Sequence, residues 1–476
     1  MQLQGKKIVV VGAGCSGIAV CRYAVNNGAQ VVLSDRRSLA EIEAGGNDIR
    51  AVAGSVECDF SGHTEEYFTQ ADLIVISPGV PLSIPALVAA KAAGIPIVGE
   101  IELASRLLSC PMMAITGTNG KSTTTELLGA MLRRCGKEVF VGGNLGTPLI
   151  TCVDEQLDYA VVELSSFQLE SVESFCPRYA AMLNISLDHL DRYPDMESYI
   201  AAKEAIFAQQ SCDDIAIVNG DDAEVMRLAA KAAARKVLFS SSRRLDIGIS
   251  CVDGIIEWRG FGLSKRFDSR QLQLCGSHNI ENVMAALVPP LLEGLDADTL
   301  WQAACEFTGL PHRMALVRKL DGVSWYNDSK GTNPGSVLKS VASLGKSGSC
   351  PNITLIAGGK DKGGDYRDMC SYLTGRVAQF VLLGEAAQSM RRAWVDLAPV
   401  HLVDSVEQAV QLAQKITPAG GSVLLSPGCS SFDMFNSFAH RGEVFTAAVQ
   451  ALPYAETGAG TGAKTDVDTD LAELVG

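Results

Sequence analysis

Long hydrophobic runs, paired cysteines and clustered positive charge are all missing from this chain. No uninterrupted apolar stretch in its 476 residues reaches the roughly 18 that a membrane span needs. The N-terminal Met1-Gln2-Leu3-Gln4-Gly5-Lys6-Lys7 leads straight into Ile8-Val9-Val10-Val11, too short and too soon broken by glycine for a secretory signal. A soluble protein of the cytoplasm is expected. The 14 cysteines include no Cys-x-x-Cys pair, which argues against a disulfide scaffold or zinc module and for a reducing compartment. Lys and Arg number 40 against 54 Asp and Glu, a formal net charge of −14. With no polybasic stretch to offset it, the chain lacks the basic face of a general nucleic-acid binder.

What is present is globular: 47% hydrophobic and 20% charged residues. At about 100–200 residues per domain, the length allows for several domains. Short β-branched runs alternate with Ala/Leu-rich helical stretches, the pattern of α/β domains with largely parallel sheets. A first set of strands falls at 8–11, 31–34, 73–77 and 97–99, and a second at 111–116, 159–164, 180–185 and 215–219. The stretch 235–275 reads as short antiparallel strands before a helix at 279–291. A third set follows Thr308-Gly309-Leu310-Pro311, at 323–326, 353–356, 380–383, 400–403 and 422–425. The expected division is 1–99, 100–309 and 310–453: a Rossmann-like domain, a P-loop ATPase-like domain with a mainly parallel sheet, and a second Rossmann-like domain. The tail 454–476 is rich in Gly, Ala, Thr and Asp, cannot bury a core, and is expected to be disordered.

Two glycine loops stand out. Gly12-Ala13-Gly14-Cys15-Ser16-Gly17 follows a strand and opens a helix, and Asp35 ends the next strand. This is the dinucleotide fingerprint: the backbone can approach a diphosphate at a helix N-terminus, and the acid can meet a ribose. Tight packing with no ligand is the plainer reading, and Cys15 is read as a small packing residue rather than a nucleophile. The second loop, Gly117-Thr118-Asn119-Gly120-Lys121-Ser122-Thr123, lies between a strand and a helical stretch at 124–135. Its amides can cradle phosphates, Lys121 can reach the β/γ oxygens, and a Ser122 or Thr123 hydroxyl can serve Mg²⁺. It departs from the standard P-loop, which would place a glycine at Ile115. A dehydrogenase would use the first loop and leave the second unexplained.

Other residues read two ways. Glu163, at the end of a buried strand beside the second loop, suits Mg²⁺ or a helix cap. Asn144 is a loop-tip polar group or a turn former, and His189 a metal ligand, a substrate contact or neither. On the helix at 196–208, Lys203 shares one arc with Met196, Tyr199, Ile200, Ile206 and Phe207, whereas Glu197 and Glu204 lie off it. A buried functional amine and a snorkelling lysine both fit. Asn279 is a good cap residue, and Asn282, one turn on, can face a ligand. Asn327-Asp328-Ser329-Lys330-Gly331-Thr332-Asn333, the glycine-rich segment around Lys360 and Lys362, and Ser426-Pro427-Gly428-Cys429-Ser430-Ser431-Phe432-Asp433 each follow a strand. Turn chemistry accounts for their glycines and prolines but not for Lys330 or Lys362, which surface solvation could explain.

Over about residues 5–452 the chain resembles the Mur ligase family. The second glycine loop and Glu163-Leu164-Ser165-Ser166-Phe167-Gln168-Leu169-Glu170 carry the family. The 327–333 and 425–433 segments resemble its D-glutamate-adding branch. The related folylpolyglutamate synthases usually place a histidine-containing sequence where Asp328-Ser329-Lys330 stands. Cys15 holds a place where a larger aliphatic residue can occur, and Gly331 and Gly428 hold places where alanine is frequent.

The resemblance implies that the first loop holds a UDP-sugar rather than NAD, with Cys15, Ser16, Asp35, Arg36, Arg37, Ser77, Gly79, Asn144, Ser165 and His189 around it. It implies ATP at Gly117–Thr123, Asn279, Asn282, Arg313 and Asp328. It implies D-glutamate near Lys330, Thr332, Lys362, Ser431 and Phe438, and a catalytic set of Lys121, Glu163, His189, Lys203 and Lys330. Mg²⁺, two ions, would be held by Ser122, Glu163, His189 and a carbamate on Lys203. The implied activity is ATP-dependent addition of D-glutamate to UDP-N-acetylmuramoyl-L-alanine through an acyl phosphate, in peptidoglycan precursor synthesis. The enzyme would be a monomer with no nucleic-acid or membrane partner. A folylpolyglutamate synthase-like ligase, an NAD-dependent oxidoreductase and a nonenzymatic nucleotide sensor remain as alternatives.

Overall fold

The three sets of β-branched runs build three sheets. In the computed structural model residues 2–453 are described, except 45–48, 53, 187–192, 275, 345–350 and 362–364. His189, Lys362 and the tail 454–476 therefore lie outside the described residues. The first strand, Lys7–Val11, is apolar on both sides because it is buried on both sides. It is the centre of a five-stranded parallel sheet, between Gln30–Asp35 and Leu73–Ile76, with Glu57–Phe60 and Ile97–Gly99 at the edges.

The second sheet has nine strands. Val139–Gly143, Tyr159–Glu163, Met112–Thr116, Tyr179–Met182, Ile215–Asn219 and Arg235–Ser240 lie side by side and parallel. Gly248–Val252 joins them parallel through Phe239 and Ser240. Only the hairpin strands Ile255–Gly260 and Leu263–Asp268 run antiparallel. The expectation of antiparallel strands throughout 235–275 is thus corrected: helix Ala223–Ala229 supplies the crossover that makes Arg235–Ser240 parallel. The hairpin turns are Asp253-Gly254 and Phe261-Gly262, with both residues of each at positive φ.

The third sheet begins with an antiparallel pair, Ala315–Leu320 and Val323–Asn327. It continues in parallel through Ser422–Leu425, Ile353–Gly358, Val377–Leu383 and Val400–Leu402. Three strands were not anticipated: Glu57–Phe60, Val139–Gly143 and Ala315–Leu320. All sit at sheet edges, where one side is free and the apolar signal is diluted.

One continuous core joins the first two sheets, running from Ile8 and Val10 through Leu103 and Ala104 to Val162 and Met182. Helices Lys121–Arg134 and Ser277–Leu292 share the other core of the central sheet, burying Leu127, Met131, Val283 and Leu287 there. Among the described residues no helix is long and apolar enough to cross a membrane.

Candidate active site

Strand Met112–Thr116 ends in Gly117 at φ +147°, and Gly120 at φ +91° turns the chain into helix Lys121–Arg134. A Cβ on Gly120 would stand 2.3 Å from Asn282 Oδ1, so glycine alone fits both the dihedral and the space. The helix has no acid in its first turn, leaving its positive end open to an anion. Lys121 Nζ curls back over the loop and donates to the carbonyls of Gly117 (2.8 Å) and Thr118 (2.9 Å). The Thr123 hydroxyl is buried with no partner among the described residues.

Glu163 ends the strand paired with Met112–Thr116, opposite Ile115. Its Oε1 accepts from Asn144 Nδ2 at 2.7 Å, while Oε2 is buried and unpartnered among the described residues. A bare buried carboxylate oxygen is costly unless a cation or donor arrives. It does not cap the next helix: Ser165 does so, in a reciprocal box with Gln168. Among the described residues no three His, Cys, Asp or Glu side chains gather as a metal cage. Glu163 and the loop hydroxyls fit Mg²⁺, which commonly takes one or two carboxylates and fills its shell with water and phosphate oxygens.

Lys203 is 1% exposed. Its Nζ donates to Gly117 O at 3.0 Å and lies 4.9 Å from the Tyr199 ring centre, so it reaches the phosphate loop instead of snorkelling to water. Tyr199, Ile200, Ile206 and Phe207 are buried with it, as the helical arc predicts.

The third sheet brings a second group onto the same loop. Lys330 Nζ donates to Ser122 Oγ at 2.7 Å and stands 5.6 Å from the Phe438 ring centre; Ser336 Oγ donates to Asn119 Oδ1 at 2.9 Å. Burial lowers the Lys330 pKa to about 8; Arg313 and Lys121 push the same way, and Glu163 opposes them. Asp328 Oδ2 accepts from Ser340 and Ser426, both at 2.7 Å. Burial raises its pKa above the usual aspartate value, despite those hydroxyls and Arg313. Burial also lowers the Arg313 pKa, and its Nε has no partner among the described residues.

Asn282 Nδ2 donates to Asn279 Oδ1 at 3.1 Å, both side chains being buried. The cap of helix Ser277–Leu292 is Gly276, so the capping role for Asn279 is corrected. Asn119, Gly120, Asn282, Arg313, Asp328 and Lys330 line a space of only about 30 Å³. Small-molecule pockets run to about 300–1,000 Å³, so this is a shut seam.

Around Lys330, the Thr332 N–H donates to the Lys330 carbonyl at 2.9 Å, Ser431 is buried, and Phe438 begins helix Phe438–Gln450. The organiser here is Arg441, which the sequence reading missed. Its buried guanidinium donates to Ser329 Oγ (3.0 Å) and to the carbonyls of Ser329 (2.9 Å), Cys429 (3.2 Å) and Ser430 (3.3 Å). Burial lowers its pKa to about 10. The available signal was its place on one helical stripe with Phe445 and Val449, as for Lys203.

The first glycine loop borders a separate cleft of about 590 Å³, lined among others by Gly12, Gly14, Asp35, Arg36, Ser77 and Gly79. Ser77 Oγ donates to Gly12 O at 3.0 Å, and Arg36 is exposed. Ser16 is half-buried, and the exposed Cys15 places Sγ 3.8 Å from Gly146 O in the central unit. Asp35 receives four hydrogen bonds, from Ala13 N and from Arg37 N, Nε and Nη2. Burial alone would raise its pKa; the Arg37 fork and the Ala13 amide bring it down to about 2. A carboxylate has about four lone-pair sites, and Ala13 and Arg37 engage all of those on Asp35.

Sequence profiles match the chain in three segments: a Mur ligase MurD-like N-terminal domain at residues 6–99, a Mur ligase middle domain at 115–289, and a Mur ligase glutamate ligase domain at 312–429. The chain belongs to the Mur ligase family. Its sequence is 52% identical over 453 residues to the UDP-N-acetylmuramoylalanine–D-glutamate ligase of Syntrophotalea carbinolica, covering 95% of this chain and 99% of that protein. The same-named ligase of Geobacter metallireducens is 47% identical over 455 residues, with the same coverage. In fold, this Mur ligase resembles a pseudomurein peptide ligase type C from Methanothermus fervidus (TM-score 0.59, 18% identity, 93% of this chain and 100% of that one). It also resembles a UDP-N-acetylmuramate–alanine ligase from Thermotoga maritima (TM-score 0.58, 20% identity, 94% and 99%). The Mur ligase family uses ATP and Mg²⁺, and the oxidoreductase and folylpolyglutamate alternatives are not favoured.

Proposed function

We propose that this Mur ligase adds D-glutamate to UDP-N-acetylmuramoyl-L-alanine at the expense of ATP, in the cytoplasmic synthesis of peptidoglycan precursors. The observation that carries the reading is Lys330, from the 327–333 segment, seated on Ser122 of the phosphate loop. It links an amino-acid-type pocket to a phosphoryl-transfer site. We assign residues 1–99 to the UDP-sugar, 100–309 to ATP and 310–453 to D-glutamate, in a chain acting as a monomer.

The L-alanyl carboxylate is too poor an electrophile for an amine. One of its oxygens bonds to the γ-phosphorus of ATP and the bond to ADP breaks, giving an acyl phosphate. The D-glutamate amine then attacks the acyl carbon; the bond to phosphate breaks, a proton leaves, and the amide remains. Lys121 and the loop amides from Gly117 to Thr123 hold the phosphoryl oxygens, which is where charge develops. Asn279, Asn282, Arg313 and Asp328 hold the rest of the nucleotide. Ser122 and Glu163 would hold Mg²⁺, which when bound offsets the phosphoryl charge; two ions are proposed, with His189 beside the second. Lys330, Thr332, Lys362, Ser431 and Phe438 orient the amino acid, so catalysis is mainly positioning. Lys203 is assigned a carbamate; its burial against Gly117 supports that reading, because desolvation favours a neutral amine, the form that takes up CO₂.

The experiment is an ADP- and phosphate-release panel over acceptors and amino acids. Turnover is expected only with UDP-N-acetylmuramoyl-L-alanine, D-glutamate, ATP and Mg²⁺ together. Equal turnover with L-glutamate or a folate acceptor refutes the assignment. Repeating the assay after CO₂ removal and bicarbonate return tests the carbamate: a rate that never moves rules it out.

A further inference from the structure

The phosphate loop carries one side chain whose direction decides whether it attracts a phosphate or repels it. Asn119 is 7% exposed. Asn184 grips its backbone in both senses: the Asn119 N–H donates to Asn184 Oδ1 at 2.9 Å, and Asn184 Nδ2 donates to the Asn119 carbonyl at 3.0 Å. What is left to set is the side-chain amide. Its Oδ1 accepts from Ser336 Oγ at 2.9 Å, a contact across 217 positions. Its Nδ2 is buried with no partner among the described residues. An NH2 left in that state is costly until an acceptor arrives. Asn119 lines the seam together with Arg313 and Lys330. Ser336 belongs to the first turn of helix Pro334–Leu344 in the C-terminal unit, where its own N–H donates to Asn333 Oδ1 at 2.8 Å.

Resting on the reading that the phosphates of ATP lie on this loop, we propose that Ser336 is a positioning residue for phosphoryl transfer. By occupying Asn119 Oδ1 it turns the Asn119 NH2 toward the seam, where the NH2 donates to an oxygen of the transferred phosphoryl group. Ionised phosphate oxygens only accept, so an amide oxygen facing them would repel where the NH2 attracts. The Ser336 hydroxyl is the only partner of Oδ1 among the described residues. When the C-terminal unit lifts, that partner leaves and the amide is free to turn over. The donor is thus in place only while the unit that carries Lys330 is seated, which ties the first chemical step to closure rather than to nucleotide binding alone.

The test is steady-state ligation by the full chain, paired with calorimetry of ADP and with small-angle scattering in Mg²⁺ and a non-hydrolysable ATP analogue. Ser336→Ala should lower kcat about tenfold, keep the affinity for ADP within about twofold, since ADP lacks the transferred group, and contract on the analogue as wild type does. Ser336→Thr, which keeps the hydroxyl, should restore the rate. Asn119→Ala should lower kcat about a hundredfold. Adding Ser336→Ala to it should cost nothing more, because the serine acts through that amide. Ser336→Cys, a weak donor of similar shape, takes the place of Ser336→Ala if the latter does not fold. An unchanged kcat in folded Ser336→Ala, a further loss in the double variant, or a Ser336→Ala chain that no longer contracts overturns the positioning role and leaves the ATP reading standing. Wild type that releases no ADP overturns the ATP reading itself.

Discussion

Lys203 and Arg441 show how far single residues can be read. Each is a long basic side chain on an otherwise apolar helical stripe, and each is buried. Periodicity placed Lys203 inside; what it touches, Gly117 O, depends on a contact across 86 positions that no local pattern contains. Asp35 was legible as the acid ending a strand, but not as one saturated by its neighbour two residues on, because that depends on how Arg37 folds back. Lys330 has the sharpest pH consequence. With a folded pKa near 8 against 10.5 for a free lysine, the unfolded chain holds a proton between those values that the folded chain lacks. Stability therefore rises with pH across that window, and below it the buried charge is a constant cost. Lys330→Met should be inactive yet melt above wild type at pH 7, with the gap closing from pH 8 to 10.5. A gap in Tm independent of pH would show that Lys330 carries no such cost.

At the level of elements, parallel strands buried on both faces were the readable part, since their β-branched runs need no partner strand to be recognised. The unreadable part was three edge strands, Glu57–Phe60, Val139–Gly143 and Ala315–Leu320, whose residues partly answer to solvent, whereas the edge strands Ile97–Gly99 and Val400–Leu402 were legible. The two phosphate loops were legible from glycine spacing, but the spacing does not tell which glycines are sterically required: in the first loop Gly12 and Gly17 are, and Gly14 is not. Gly120 is at positive φ with Asn282 Oδ1 in the place of a Cβ, whereas Gly14 has no atom within 4 Å of that place and ordinary φ. Gly120→Ala should cost about 1–3 kcal/mol in urea unfolding and abolish ATP binding. Gly14→Ala should leave stability within about 0.5 kcal/mol and weaken only the UDP-sugar. Equal destabilisation by the two would contradict this division.

In the whole molecule, the C-terminal unit rests on the phosphate loop through Lys330–Ser122 and Ser336–Asn119, and the seam beneath it is too small for a nucleotide. Lys121, Arg313 and Lys330 converge there, a grouping of like charge that polyphosphate would neutralise. The ligand-free chain should accordingly spend time open, with a radius of gyration in small-angle scattering that shrinks when Mg²⁺ and a non-hydrolysable ATP analogue are added. Identical scattering curves would argue for a fixed arrangement. The shut seam also sets a clock. If nucleotide enters only while the C-terminal unit is lifted, the observed association rate climbs with concentration and then levels off at the rate of lifting, whatever the affinity. A compound wedged into the lifted seam would act late but leave slowly, and its potency would be read in residence time rather than in occupancy at first mixing.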